Sequence, residues 1–236
     1  LTWKNPWQPN PGSWSYCGPV SVANSMWWFD SKFEPNPAIP PAISDGFQLV
    51  QSYIPGVDDH DAQNVVPLIN DLAWYMDTDG KRTGLAHCGT DVFDMQAGIA
   101  QYMSDTGVNP LGDCNGDGVV DIKDLNIVMA VPPGAMPGMP GWDLRADVVH
   151  DNIINMADVA LVNAHLGENW GKFYEKTMWM PDPGYLEHQI KMCEDVVLLL
   201  GIWQEVAQGY FQRIGGHFVT AHGIDPTSMT IAISDP

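Results

Sequence analysis

Residues 113–124 constrain the fold of this chain more than any other segment. They read D-C-N-G-D-G-V-V-D-I-K-D, which places side-chain oxygens at loop positions 1, 3, 5, 9 and 12, in Asp113, Asn115, Asp117, Asp121 and Asp124. Gly118 occupies the sharp turn, and the backbone carbonyl of Val119 falls at position 7. Calcium binds about six to eight oxygens, and this spacing wraps the chain around such an ion. We therefore expect a Ca²⁺ site here; the alternative is a solvated acidic turn.

A second and degraded copy of the loop begins at Asp147. It keeps ligand-type residues at positions 1, 5, 9 and 12 and a backbone carbonyl at position 7, in Asp147, Asp151, Asn155, Asp158 and Ile153. Position 3 is Val149, which offers no side-chain oxygen, and Asn152 replaces the turn glycine. Because asparagine tolerates positive φ better than most residues, the turn is expected to survive. The second site is expected to be weaker than the first, rebuilt or empty.

Each loop leads into an apolar run with helical character, at 125–130 and 159–166. The order loop, helix, linker, loop, helix over about residues 110–168, with Asp at position 12, resembles the dockerin type I module. The resemblance implies an all-α module with EF-hand-type calcium loops, which we assign to residues 109–168. Its relatives dock onto cohesin domains, so a cohesin is an expected partner, and a purely structural role is the alternative.

The stretches on either side of this module carry a candidate nucleophilic site. Cys17 opens a helix-like run, and a helix N-terminus stabilises a thiolate. His217 stands in a strand-like run at 216–221, and Asp235 follows the next such run at 229–233. Antiparallel pairing of the two strands would place Asp235 beside His217, where it would orient the imidazole. The alternative for Cys17 is a buried, inert thiol.

Together these pieces resemble the papain-superfamily cysteine peptidases, in the branch of the bacteriocin-leader-processing peptidases. The matching segments lie in the family's order on both sides of the calcium loops, at 17–19, 89–91, 94–95, 98–102, 215–217, 223–225 and 235–236. The resemblance implies an α+β papain-like fold, with a helical half at 1–108, an antiparallel sheet half at 169–236 and the calcium module inserted between them. It also implies Cys17 as nucleophile, His217 as general base and acid, Asp235 as the orienting carboxylate and Gln8 as an oxyanion-hole donor.

Several other features are expected to be structural. His222 lies beyond the start of its strand, and the neighbours His87 and Cys88 would point apart on an extended segment. The acidic stretches 58–61 and 77–80 are expected to be solvated loops, with further cation binding as the alternative, and the run 190–201 is expected to be helical. Four cysteines without a CxxC pair are too few for a disulfide scaffold and wrongly spaced for zinc.

The formal net charge of −19 excludes nucleic acid as a partner, because phosphates would be repelled. The same charge fits a secreted protein that holds cations, and no apolar run is long enough to span a membrane. The expected function is a secreted cysteine peptidase acting on peptides or proteins. The alternatives are a non-catalytic papain-like scaffold that binds a cohesin in a calcium-dependent manner, and another acyl-transfer enzyme with the same triad.

Overall fold

The computed structural model describes residues 15–33, 49–228 and 230–235. Within these ranges the α-helices are α1 (Cys17–Phe33), α2 (Val65–Tyr75), α3 (Val92–Asp105), α4 (Ile122–Ala130), α5 (Met156–Ala164) and α6 (Pro183–Lys191). The strands are β1 (Val196–Ala207), β2 (Tyr210–Asp225) and β3 (Thr230–Ser234), and they form one antiparallel sheet in the order β1-β2-β3. Short 3-10 helices cover Ala62–Asn64, Thr78–Gly80 and Leu144–Ala146. The fold class of the described residues is α+β, and none of their helices is both long and apolar enough to cross a membrane.

The two helices that follow the acidic loops start in the same way. Asp121 and Asp124 form a capping box at the start of α4, and Asn155 and Asp158 form one at the start of α5. In each box the two side chains satisfy backbone N–H groups that the first helical turn leaves unpaired. These residues are positions 9 and 12 of the loops, so the end of each loop and the start of its helix are one local structure.

Buried apolar side chains form two separate clusters. The first combines α1, α2 and α3 with Phe218 of β2. The second lies within residues 114–162 and joins the acidic loops to their helices, with Val120, Val128 and Val162 each 2% exposed or less. The segment 114–162 therefore has a core of its own.

The apolar run 190–201, for which the sequence predicts a helix, is a strand in its second half, 196–201. Helix α6 ends at Lys191 and β1 begins at Val196. The helix prediction was wrong here, because hydrophobic periodicity alone cannot separate a short apolar strand from a helix. The outcome depends on β2, which pairs with β1 from Val196↔Ala221 to Ala207↔Tyr210.

The sheet packs on α1 through one end of β2. Phe218 is 6% exposed within the first cluster, and Thr220 Oγ1 donates to the carbonyl oxygen of Ser21 at 3.1 Å. Thr220 also pairs with Ser234 of β3. This packing places the part of β2 that pairs with the end of β3 against the helix that begins with Cys17.

Candidate functional site

The structure brings His217 and Asp235 together. Thr220 pairs with Ser234, so Asp235 lies opposite Val219 and diagonal to His217 on the same face of the sheet. His217 Nε2 is 2.6 Å from Asp235 Oδ1, and the two side chains are 31% and 65% exposed. The antiparallel arrangement expected from the sequence is therefore present.

This contact also determines which imidazole nitrogen of His217 is left to accept a proton from a substrate or thiol. When Nε2–H donates to Asp235, the neutral ring keeps its lone pair on Nδ1. Cys17 is the first residue of α1, half-buried against the first core cluster. Among the described residues, no hydrogen bond joins the Cys17 thiol to His217, and the proposed oxyanion donor Gln8 lies outside these residues.

The acidic stretch 77–80 is buried, which corrects the expectation of a solvated loop. Asp77 and Asp79 are 5% and 6% exposed. The Asp79 carboxylate accepts hydrogen bonds from Ser15 Oγ and from the backbone N–H of Gly89, both at 2.7 Å. These bonds tie the segment 89–91 to the residues directly before Cys17, so Asp79 is a positioning residue that sequence reasoning missed.

The stretch 58–61 is also less solvated than expected, since Asp59 is 3% exposed. His60 Nδ1 lies 3.1 Å from Asp59 Oδ1, and His60 Nε2 lies 3.4 Å from Asp30 Oδ2 of α1. These three side chains are close enough together to share one metal ion.

The first acidic loop turns its backbone N–H groups towards its own carboxylates. Asp113, 2% exposed, accepts from the N–H groups of Gly116 at 2.9 Å and Gly118 at 2.8 Å. Asp124 is 0% exposed and accepts from the N–H groups of Cys114, Asn115 and Asp121. Gly116 and Gly118 have φ of +71° and +82°, a region that glycine adopts without strain.

The donor set of the first loop fits a calcium ion. Burial, together with Asp124 and Asp117, raises the pKa of Asp113 to about 6, because its negative charge is desolvated and lies near other carboxylates; a bound cation would offset that cost. The cation that contacts these carboxylates in the described structure is Lys123, whose Nζ lies 2.8 Å from Asp117 and 3.4 Å from Asp121. The side chains at positions 9 and 12 also cap helix α4. The residue types at positions 1, 3 and 5 are therefore the stronger indication of a calcium site.

The second loop keeps the backbone of the first. His150 and Asn152, at positions 4 and 6, both have φ of +62°, as the glycines do in the first loop. The expectation that Asn152 preserves the turn is confirmed. The carboxylate of Asp158 accepts from the N–H groups of Val149 and Asn155, as Asp124 does in the first loop.

The side chains of the second loop do not fit calcium as well. Position 3 is Val149, which has no side-chain oxygen. Asp147 at position 1 already forms an ion pair with Arg82, whose Nη2 lies 2.6 Å from Asp147 Oδ2. The side chains at positions 5 and 9 accept from nearby backbone N–H groups, Asp151 from Ile153 and Asn155 from Ala157, as Asp117 and Asp121 do in the first loop, so positions 1 and 3 make the difference. Arg82, one of three arginines in the chain, was not singled out by any local sequence pattern.

The first loop also holds the segment that leads to the sheet. The carbonyl oxygens of Gly116 and Gly118 accept from the N–H groups of Glu175 at 3.0 Å and Gly171 at 3.1 Å. A Cβ on Gly171 would lie 2.3 Å from the Gly118 Cα, so the two backbones touch. A change in the backbone conformation of this loop would therefore alter its contacts with residues 167–175.

A cavity of about 790 Å³ lies between α1, α3, residues 172–181 and β1, and its lining includes none of Cys17, His217 and Asp235.

Comparisons of the chain with protein-family models, with curated proteins and with solved structures found no match.

Proposed function

We propose that this chain is a secreted cysteine peptidase that hydrolyses peptide bonds through Cys17, His217 and Asp235. The observation that carries the proposal is the 2.6 Å contact between His217 Nε2 and Asp235 Oδ1, on a sheet packed against the helix that Cys17 begins. A thiol at a helix N-terminus, an imidazole and an orienting carboxylate are the three groups that nucleophilic acyl transfer needs.

In this proposal each residue has a defined step. His217 Nδ1 takes the thiol proton, and the Cys17 thiolate attacks the peptide carbonyl carbon. When the carbon–nitrogen bond breaks, the imidazolium protonates the leaving amine and a Cys17 thioester remains. Water, deprotonated by His217, then hydrolyses the thioester and releases the thiol. The backbone N–H of Cys17 and the side chain of Gln8 are the proposed donors to the oxyanion.

Alkylation by iodoacetamide tests the nucleophile directly. We expect Cys17 to react at least about tenfold faster than Cys88 at neutral pH, since the thiolate is the nucleophile. Cys88 is exposed whereas Cys17 is half-buried, so exposure could not explain a faster reaction of Cys17, and Cys88 serves as the internal control. His217→Ala should remove the advantage of Cys17. A folded protein in which only Cys88 reacts would exclude the peptidase mechanism.

The second candidate function is a non-catalytic scaffold whose module binds a cohesin. It is favoured by the absence of a hydrogen bond between Cys17 and His217 among the described residues, and by a cavity that none of the three proposed catalytic side chains lines. A pull-down with cohesin domains, with and without a chelator, separates this function from the first. Calcium-dependent capture by a chain with an unreactive Cys17 would support the scaffold.

We also propose that the first loop binds Ca²⁺ through the side chains at positions 1, 3, 5, 9 and 12 and the carbonyl of Val119. The ion would fix the loop that holds residues 167–175, and through them the half of the fold that carries His217. A chelator should therefore reduce peptidase activity as well as thermal stability. Activity that does not respond to the chelator would separate the calcium loop from catalysis.

A further inference from the structure

We infer that the guanidinium of Arg82 supplies the positive charge of the second acidic loop in place of a calcium ion. The module then binds a single Ca²⁺, and its second half is docked on α2 and α3 by an ion pair within the chain. The ion count in this inference rests on the calcium site proposed for the first loop; the role of Arg82 does not.

The guanidinium is buried against the loop. The side chains of Arg82 and Asp147 are both 0% exposed. Arg82 Nη2 donates to Asp147 Oδ2 at 2.6 Å and to the Asp147 carbonyl oxygen at 3.1 Å, and it lies 3.0 Å from His150 Nδ1. A buried arginine needs a permanent counter-charge, and Asp147 is the carboxylate that provides it.

The helices hold Arg82 in this position from the other side. Its backbone N–H donates to Asp77 Oδ1 at 2.8 Å, and its guanidinium carbon lies 4.8 Å from the centre of the Trp74 ring in α2. Its Nη1 donates to Gln101 Oε1 of α3 at 2.5 Å. Gln101 Nε2 in turn donates to the carbonyl oxygen of Asp147 at 3.1 Å. The arginine thus sits in a site built from both helices and is not a chance surface contact.

His150 extends the same interface. Since its Nδ1 accepts from Arg82, the neutral ring carries its proton on Nε2, which lies 2.7 Å from Asp105 Oδ2 of α3. The rings of Trp74 and Tyr75 pack nearly perpendicular to the imidazole ring, at centroid distances of 5.7 and 5.9 Å. Position 4 of the loop, a glycine in the first copy, has become a docking side chain in the second.

The two loops can be compared at one equivalent atom, the Oδ2 of the position-1 aspartate. In the first loop the side chain on this oxygen is the neutral amide of Asn109, 3.2 Å from Asp113. In the second loop it is the guanidinium of Arg82. At this carboxylate the first loop therefore keeps its negative charge for a cation, whereas the second loop is neutralised here and has also lost an oxygen at position 3.

This arrangement has a consequence for partners and for calcium removal. The face of the second loop that contacts α2 and α3 is buried in the chain itself, so a cohesin would have to bind the module elsewhere. A chelator should release the first loop only. The second half should stay docked, because its counter-charge is covalently part of the chain.

Calcium stoichiometry by titration calorimetry tests the inference. We expect one Ca²⁺ per wild-type chain, none for Asp113→Asn, and one for Asp147→Asn. Val149→Asp alone should still bind one ion, whereas Arg82→Gln/Val149→Asp should bind two, because the oxygen is restored and the guanidinium is gone. Two ions in the wild type, or one ion that Asp147→Asn removes, would overturn the inference.

Thermal unfolding in a chelator tests Arg82 without any bound calcium. We expect Arg82→Gln or Asp147→Asn to lower Tm by about 10 °C each, because either leaves a buried group without its partner. The double variant should lose clearly less than the sum of the two. Arg145→Gln is the matched control: Arg145 pairs with Asp143 at 2.7 Å but is 44% exposed, so its loss should shift Tm by less than about 2 °C.

The calcium titration and the unfolding measurements test separate parts of the inference. If the wild type binds no calcium, the proposed site in the first loop is wrong, but the unfolding cycle still decides the role of Arg82. If Arg82→Gln behaves like the Arg145→Gln control, or if the losses from Arg82→Gln and Asp147→Asn simply add, the internal ion pair does not hold the second loop.

Discussion

Acid should stabilise the calcium-free protein through Asp113 and should abolish its response to calcium. Burial, with Asp124 and Asp117 nearby, raises the pKa of Asp113 from 3.8 to about 6. A carboxyl whose folded-state pKa is raised favours the folded state when it is protonated. Its contribution is therefore complete below about pH 4 and is lost as the pH rises through about 6.

The size of the effect follows from that shift. A change of about 2 pKa units corresponds to about 3 kcal/mol at about 1.4 kcal/mol per unit. For a chain of this length, about 1 kcal/mol moves Tm by about 2–4 °C, so Asp113 should contribute roughly 6–12 °C. The Ca²⁺ ion that we propose for this loop would supply the missing positive charge at neutral pH, and protons would displace it in acid because the ligand must be ionised.

The assay is thermal unfolding from about pH 4.5 to about pH 7.5, in excess calcium and in excess chelator. The comparison protein is Asp113→Asn, since asparagine cannot titrate but keeps one side-chain oxygen. Asp94, whose pKa burial and Asp77 also raise to about 6, titrates in both proteins. Its contribution therefore cancels in the difference between them.

In chelator, the wild type should gain Tm relative to Asp113→Asn as the pH falls, and the calcium-induced increase in its Tm should shrink over the same range. Parallel pH profiles for the two proteins would show that Asp113 ionises without cost and would refute the reasoning. So would a calcium response of the wild type that is as large at about pH 4.5 as at about pH 7.5.

Three smaller changes test other contacts. Lys123→Met should tighten calcium binding by up to about fivefold in calorimetry, because the ammonium 2.8 Å from Asp117 must leave when the ion binds; weaker binding would contradict this. Asp235→Ala should slow Cys17 alkylation by about tenfold. Asp235→Asn should keep most of the rate, because its side-chain oxygen can still accept from His217 Nε2. Equal losses in the two variants would argue against an orienting role for Asp235. Asp79→Ala should lower Tm by about 5 °C, because it leaves the Ser15 hydroxyl and the Gly89 N–H without their acceptor. An unchanged Tm would mean that other contacts hold the segment 89–91.

Much of the module could be read from local spacing. Both acidic loops, the helices that follow them and the positive φ of Asn152 are set by residues within one loop of each other. The same holds for His217 and Asp235, because two strands joined by a short turn have few registers available to them. In each case the interacting groups are close in sequence, and periodicity or turn chemistry is enough to bring them together.

Contacts between distant segments could not be read in this way. The sequence of the run 190–201 favours a helix, but pairing with β2 makes its second half a strand. The sequence around Asp79 favours a solvated loop, but Asp79 is buried and accepts from Ser15, 64 positions earlier. The pair of Arg82 and Asp147 spans 65 positions, and no periodicity encodes it. Spacing along the chain therefore determines that the second segment forms a calcium-type loop, but the packing of α2 and α3 against it determines that its carboxylate meets a guanidinium.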